Sequence, residues 1–170
     1  MILKVARLGH PVLRQRASDV EIEDVKKGRF DDLIADMFET MDAYQGVGLA
    51  APQIHLPLRI FVFEVNEALA RRKRTPPLKG GAFFNSTIEI VGDKKITDIE
   101  GCLSVPFLGG EVPRADKIVL RGFDVSGEPA EVAISGYAAR IFQHEVDHTD
   151  GHVYLDRMPD LTSLEYTVIL

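Results

Sequence analysis

At 170 residues, with 45% hydrophobic and 27% charged side chains, the chain is long enough for one domain with a substantial core. Its formal charge of −6 excludes broad electrostatic attraction to nucleic acid. A lone cysteine excludes an internal disulfide and suits a reducing compartment, no apolar run is long enough to span a bilayer, and Met1 to Gly9 carries no signal-peptide pattern. A single domain over residues 1–170, cytoplasmic or organellar if the chain is a processed form, is the expectation.

In chain order, Phe30, Leu33, Ile34, Met37, Phe38 and Met41 recur at helical spacing, which predicts a core helix over about 25 to 45. Gly46-Val47-Gly48-Leu49-Ala50-Ala51-Pro52-Gln53 follows, a run of small residues ending in a side-chain amide. Such a run is usually only a tight turn, but small residues also suit a wall where another backbone lies close. Leu58 to Val65 is a near-continuous β-rich stretch. Arg71-Arg72-Lys73-Arg74, just before Pro76-Pro77, is expected in a solvated loop, with a contact to ribosomal RNA as the less favoured alternative.

Phe83 to Val91 and Lys95 to Val105 read as further strands. Lys117 to Val125 and Pro129 to Ser135 flank Ser126-Gly127, a hairpin signal. Gly136 to Thr149 lacks proline and internal glycine, and Gly151 supplies a stop, so a helix is predicted there. Strands in series between two helices give the expected class: α+β, with mostly antiparallel sheets.

That last helix holds His144-Glu145-Val146-Asp147-His148, an H-E-x-x-H pattern. The two histidines lie one turn apart on one face, with Tyr137 and Ile141 on the same stripe, so both imidazoles can reach one metal ion. Glu145 projects from the same helix and can serve as general base toward a water activated there. A pair of hydrogen-bonded core histidines is the alternative.

Catalytic metal centres of this kind usually take three protein ligands. Cys102, in Glu100-Gly101-Cys102-Leu103-Ser104, reads as the end of a strand entering a tight turn. An isolated cysteine is more often a small buried hydrophobe, yet a thiolate here could complete a His2Cys site. His10, His55 and His152 are the other histidines, and His152 lies beyond the helix stop. The Gln53 amide offers a donor that could stabilise an oxyanion.

Taken together, Gly9-His10-Pro11-Val12-Leu13-Arg14, GVGLAAPQ at 46–53, EGCLS at 100–104 and QHEVDH at 143–148 resemble the peptide deformylases, in order and spacing, over nearly the whole chain. The resemblance implies that the sheets pack around the central H-E-x-x-H helix. It implies hydrolytic removal of the formyl group from polypeptides beginning with formylmethionine, releasing formate. It implies Cys102, His144 and His148 as metal ligands, Glu145 as general acid and base, and Gln53 with the Leu103 backbone N–H as donors to the formyl oxygen. Val47, Gly48, Tyr137 and Ile141 are the implied substrate-binding set, the apolar three lining a cavity for the methionine side chain. One Fe2+ per chain is the implied ion, with Zn2+, Ni2+ or Co2+ able to substitute.

The implied partners are N-formylmethionyl nascent peptides, with a transient ribosome contact left open, and neither DNA nor a membrane. No basic helix closes the sequence, so docking through a cationic tail is not expected. The chain departs from its relatives at Gly109, where an arginine is common, at His55, often glycine, and at Thr149, usually hydrophobic. At Gly109 the expectation is weaker contact with peptide beyond methionine. Two other classes compete: a zinc endopeptidase sharing H-E-x-x-H, and a non-catalytic module held by a closed four-ligand site.

Overall fold

The segment Ile60-Phe61-Val62-Phe63 is apolar without alternation because both faces of its strand are covered. In the computed structural model, which describes residues 1–167, Phe61 and Phe63 point into one core with Phe83, Ile118, Leu120, Phe142 and Val146. Ile60 and Val62 point into a second core with Met37, Met41, Leu49 and Phe84. The strand β2 (Ile60–Val65) therefore divides two hydrophobic layers.

It belongs to a five-stranded sheet in the order β1 (Gly48–Ala50), β2, β3 (Leu78–Ile90), β6 (Lys117–Phe123) and β7 (Pro129–Ser135). A smaller sheet consists of β4 (Lys95–Cys102), β5 (Val105–Ala115) and β8 (Glu165–Tyr166). Every strand pair in both is antiparallel.

The helix α4 (Gly136–Thr149) packs Ala139, Ile141, Phe142 and Val146 into the first core, where the Phe142 and Phe63 rings meet with centroids 4.7 Å apart. Its far end is fixed by close backbone approach. Gly151 has φ +83°, and a Cβ there would lie 3.0–3.1 Å from the main chain of Arg14 and Gln15. The expected class, α+β with antiparallel sheets around the H-E-x-x-H helix, holds.

Element boundaries differ from expectation at four places. The helix predicted over about 25 to 45 is two: α1 (Ile22–Lys26) and α2 (Asp31–Ala43). Gly28 turns the chain between them with φ +70°. The cationic run is no loop but the end of α3 (Glu67–Lys73), capped at its start by the Asn66 side chain and ended by Arg74 in the left-handed region. The strand β3 begins at Leu78, earlier than the expected Phe83.

The expected strand Lys95 to Val105 is a hairpin: β4 stops at Cys102 and β5 starts at Val105. Pairing joins Cys102 to Val105 and Gly101 to Gly109, so Pro106, Phe107 and Leu108 bulge out of β5 unmatched on β4. The β6–β7 hairpin forms as expected, with Gly127 at φ +73° in its turn.

Candidate active site

Three elements converge on the first turns of the H-E-x-x-H motif: α4 itself, the β4–β5 turn, and β1 with the short 3-10 turn that follows it. One ligand atom each from Cys102, His144 and His148 lies within 4.8 Å of the others. Cys102 Sγ and His148 Nε2 are 3.3 Å apart, and the two imidazole rings are nearly perpendicular with centroids 4.9 Å apart. Burial by itself would raise the Cys102 thiol, but His148 and His144 beside it hold it well below the usual thiol range. Burial would lower His144, but Cys102 and Glu100 bring it well above the usual imidazole range. A cysteine sulfur facing two histidine rings is the donor set that a borderline-soft divalent ion takes.

Behind the cluster lies a charged layer that sequence reasoning missed. Glu100 Oε2 hydrogen-bonds His144 Nδ1 at 2.9 Å, which leaves Nε2 of that ring for the cluster. Arg114 donates to both Glu100 oxygens at 2.9 and 3.0 Å, and Arg140 Nη1 to Oε1 at 2.7 Å. Arg114 Nη1 also donates to Asp147 at 2.5 Å, and Arg157 Nη2 to the same carboxylate at 2.6 Å. Burial would raise the Glu100 carboxyl, but His144 and Arg114 hold it well below the usual carboxylate range. Asp147 is lowered in the same way by Arg157 and Arg114. One clue was available: Glu100 and Cys102 sit two apart on one strand and therefore share a face. The arginines sit on three different elements, Arg114 on β5, Arg140 on α4 and Arg157 beyond it, and carry no local pattern.

Glu145 is 3% exposed, and burial pushes its carboxyl up to about 7. Its Oε2 has no hydrogen-bond partner among the described residues. Gly48 lies directly against it: a Cβ on Gly48 would stand 2.3 Å from Glu145 Oε1. The small-residue wall thus faces the proposed base as well as any ligand.

Gln53 is buried, with its Oε1 accepting from Ala50 N at 2.9 Å. That fixes the amide so that Nε2 points toward Cys102 Sγ and Ser104 Oγ, each at 3.4 Å. The Leu103 peptide is held from its other side, since Arg7 Nη1 donates to its carbonyl oxygen. Val47 and Tyr137 pack against the core that contains Ile141, so these three share one apolar layer. Lys73 lies over the Tyr137 ring at 5.1 Å. His10, His55 and His152 are outside the three-residue cluster.

The space at Gly109 is not vacant. A Cβ there would meet Thr167 Cγ2 at 2.7 Å, Ile99 Cγ2 at 3.2 Å and the Glu100 carbonyl oxygen at 3.3 Å. Gly109 sits inside two strand pairings, with Gly101 on one side and Glu165 on the other.

An H-E-x-x-H helix opposite a cysteine-bearing hairpin, with a buried glutamate over a donor set for a divalent ion, defines a metal-dependent hydrolase. Comparison with known proteins narrows the class. The polypeptide deformylase family profile matches residues 2–163. Peptide deformylase 1 of Bordetella pertussis is 43% identical over all of this chain and 95% of its own length. Peptide deformylase 1 of Xanthomonas campestris is 38% identical over all of this chain and 98% of its own.

Among solved structures, a class I type b peptide deformylase from Acinetobacter baumannii with Met-Ala-Ser bound superposes with a TM-score of 0.85 at 31% identity, covering 93% of this chain and 99% of the other. The Thermotoga maritima peptide deformylase gives 0.80 at 35%, covering 94% and 99%. The chain belongs to the polypeptide deformylase family, hydrolases that remove the formyl group from N-formylmethionine.

Proposed function

We propose that this chain, acting as a single catalytic domain over residues 1–170, deformylates nascent polypeptides in a cytoplasmic compartment where translation starts with formylmethionine. The observation that carries the residue assignments is the convergence of Cys102, His144 and His148 beside a buried Glu145 whose Oε2 has no partner among the described residues.

Cys102, His144 and His148 hold the ion, and Glu100 orients the His144 ring for it. A divalent ion in that position supplies Lewis-acid charge beside the formyl carbon and makes water usable as a nucleophile near neutral pH. Of the ions this donor set suits, we assign Fe2+, with Zn2+, Ni2+ and Co2+ able to replace it.

Glu145 takes a proton from the attacking water. A carboxyl poised near neutrality can then return it to the departing amine nitrogen, so formate and a free N-terminus result. Gln53 Nε2 and the Leu103 N–H donate to the formyl oxygen as negative charge gathers on it. The methionine side chain rests against Val47, Tyr137 and Ile141, and the peptide runs past Gly48. β1 is paired with β2 on one side only, which leaves an edge along which an extended peptide can lie. The Acinetobacter relative with Met-Ala-Ser bound supports a peptide of this type as substrate.

The test is formate release from formyl-Met-Ala-Ser by anaerobically purified enzyme, with metal analysis on the same sample. The expected result is turnover with about one iron per chain, lost in air and restored by Ni2+ or Co2+. Cleavage of unformylated peptides at internal bonds, with no formate from the formylated one, would replace this reading by an endopeptidase.

A further inference from the structure

The three residues that bulge from β5 hold an aromatic ring in an unfavourable place. Phe107 is a bulky residue at φ +65°, in the left-handed region that favours glycine, and it is 48% exposed. Neither backbone preference nor burial accounts for a phenylalanine there. Its surroundings do hold it. Thr167 N donates to the Phe107 carbonyl at 2.9 Å, and Leu108 pairs with Tyr166 in β8. Tyr166, 73% exposed, stacks on the Phe107 ring at 5.9 Å between centroids and 18° between planes. The result is two nearly parallel rings, fixed by main-chain pairing and open to solvent.

The register bounds their distance from the Cys102 end of the cleft. Val105 is paired with Cys102, and Phe107 is two residues further, so its Cα lies within about 12 Å of that of Cys102. A peptide extended from the cluster covers that span in about three to four residues. A Cβ on Gly109 would meet Thr167 Cγ2 at 2.7 Å, so β8 lies directly against the bulge and holds Tyr166 beside it.

We propose that Phe107 and Tyr166 form an aromatic platform that selects formylated peptides with an apolar or aromatic side chain in the two residues after methionine. The inference rests on the deformylase reading and adds a specificity determinant to it. A fixed pair of rings loses little conformational freedom on contact, and an added aromatic contact is worth about three- to tenfold in binding. The contact forms in the ground state and persists through the reaction, so the preference belongs in KM more than in kcat.

The experiment compares kcat/KM for formyl-Met-Ala-Ser, formyl-Met-Phe-Ser and formyl-Met-Ala-Phe in the wild-type enzyme and in Phe107→Gly, Tyr166→Ala and Tyr166→Phe. Phe107→Gly also relieves the left-handed backbone, so it does not threaten folding. The expected result is a wild-type preference of about three- to tenfold for at least one aromatic peptide, carried by KM. It should be kept in Tyr166→Phe and fall toward one in the other two variants. A merely structural role would slow all three substrates alike. A wild-type ratio of one on an active enzyme, or a ratio that survives both Phe107→Gly and Tyr166→Ala, overturns the platform alone. Absence of formate from every peptide overturns the deformylase reading and the platform with it.

Discussion

Among the described residues Glu145 has no partner for one of its buried oxygens, an arrangement that costs stability in most proteins and is kept where a proton must move. Glu145→Gln should therefore lower kcat by about 10²–10⁴-fold while retaining the ion. Its thermal midpoint should be no lower than that of the wild type. Metal content, formate release and a melting curve on one preparation check all three, and near-normal kcat would remove Glu145 from the proton-transfer role. Gly48→Ala asks the same of geometry, because its Cβ would stand 2.3 Å from Glu145 Oε1 and must displace the carboxylate. Turnover should fall with no loss of bound metal.

At Gln53 the obvious leucine substitution is ambiguous, since it also strips the acceptor from Ala50 N. Gln53→Glu keeps that acceptor but replaces the donor with a carboxylate oxygen, adding negative charge beside Cys102 Sγ. Its kcat should fall by up to about 10²–10³-fold with KM little changed, and a pure KM effect would reduce Gln53 to positioning. His144, Glu145 and His148 were legible because they lie at helical spacing within five residues, whereas Cys102 sits on a separate hairpin. The pressure of Gly48 on Glu145 was not, because it joins segments about a hundred residues apart, and no periodicity encodes such a contact.

At the scale of elements, the β4–β5 hairpin is tied to α4 through Glu100, Arg114 and Asp147. Glu100→Gln leaves Arg114 and Arg140 facing each other without their shared carboxylate, and breaking a buried pair in this way costs about 3–5 kcal/mol. Chemical denaturation of the two proteins measures it. The acid dependence has a definite sign. Both carboxyls are lowered on folding, so their stabilisation is complete above the ordinary carboxylate range near about 4 and is lost as pH falls through the lower folded values. The wild-type melting temperature should thus drop more steeply in acid than that of Glu100→Gln.

Gly109→Arg, attractive from relatives alone, should destabilise, because Thr167 and Ile99 already occupy its space. The strand β5 was missed by pattern for a physical reason. Pro106, Gly109, Gly110 and Pro113 are strand-averse residues that tertiary pairing overrides across β5. The split of the first long helix had a visible signal in Gly28, which the apolar spacing on both sides masked.

At the scale of the molecule, an ion that binds only the folded chain adds stability by mass action. Stripping it with a chelator should lower the melting temperature by on the order of 10 °C, reversibly on adding back Fe2+ anaerobically. No shift would mean the cluster does not hold metal in the folded protein. The architecture was legible because two hydrophobic layers, one on each face of β2, wrote a continuous apolar run into the sequence. How the charged layer assembles was not, since Arg114 and Arg140 are ordinary surface-type residues until the fold buries them.

Arg114 also sets which parts of the molecule can open separately. One guanidinium holds a carboxylate of β4 and a carboxylate of α4 while its own strand pairs with β4, so none of the three can leave without stranding a buried charge. In amide hydrogen exchange under native conditions, α4 and the paired residues of β4 and β5 should converge on one opening free energy close to that of global unfolding. The Phe107 bulge and β8 should exchange by smaller, local openings. Such a protein holds its reacting groups on its slowest-opening unit and leaves adjustment to the peptide to the rim.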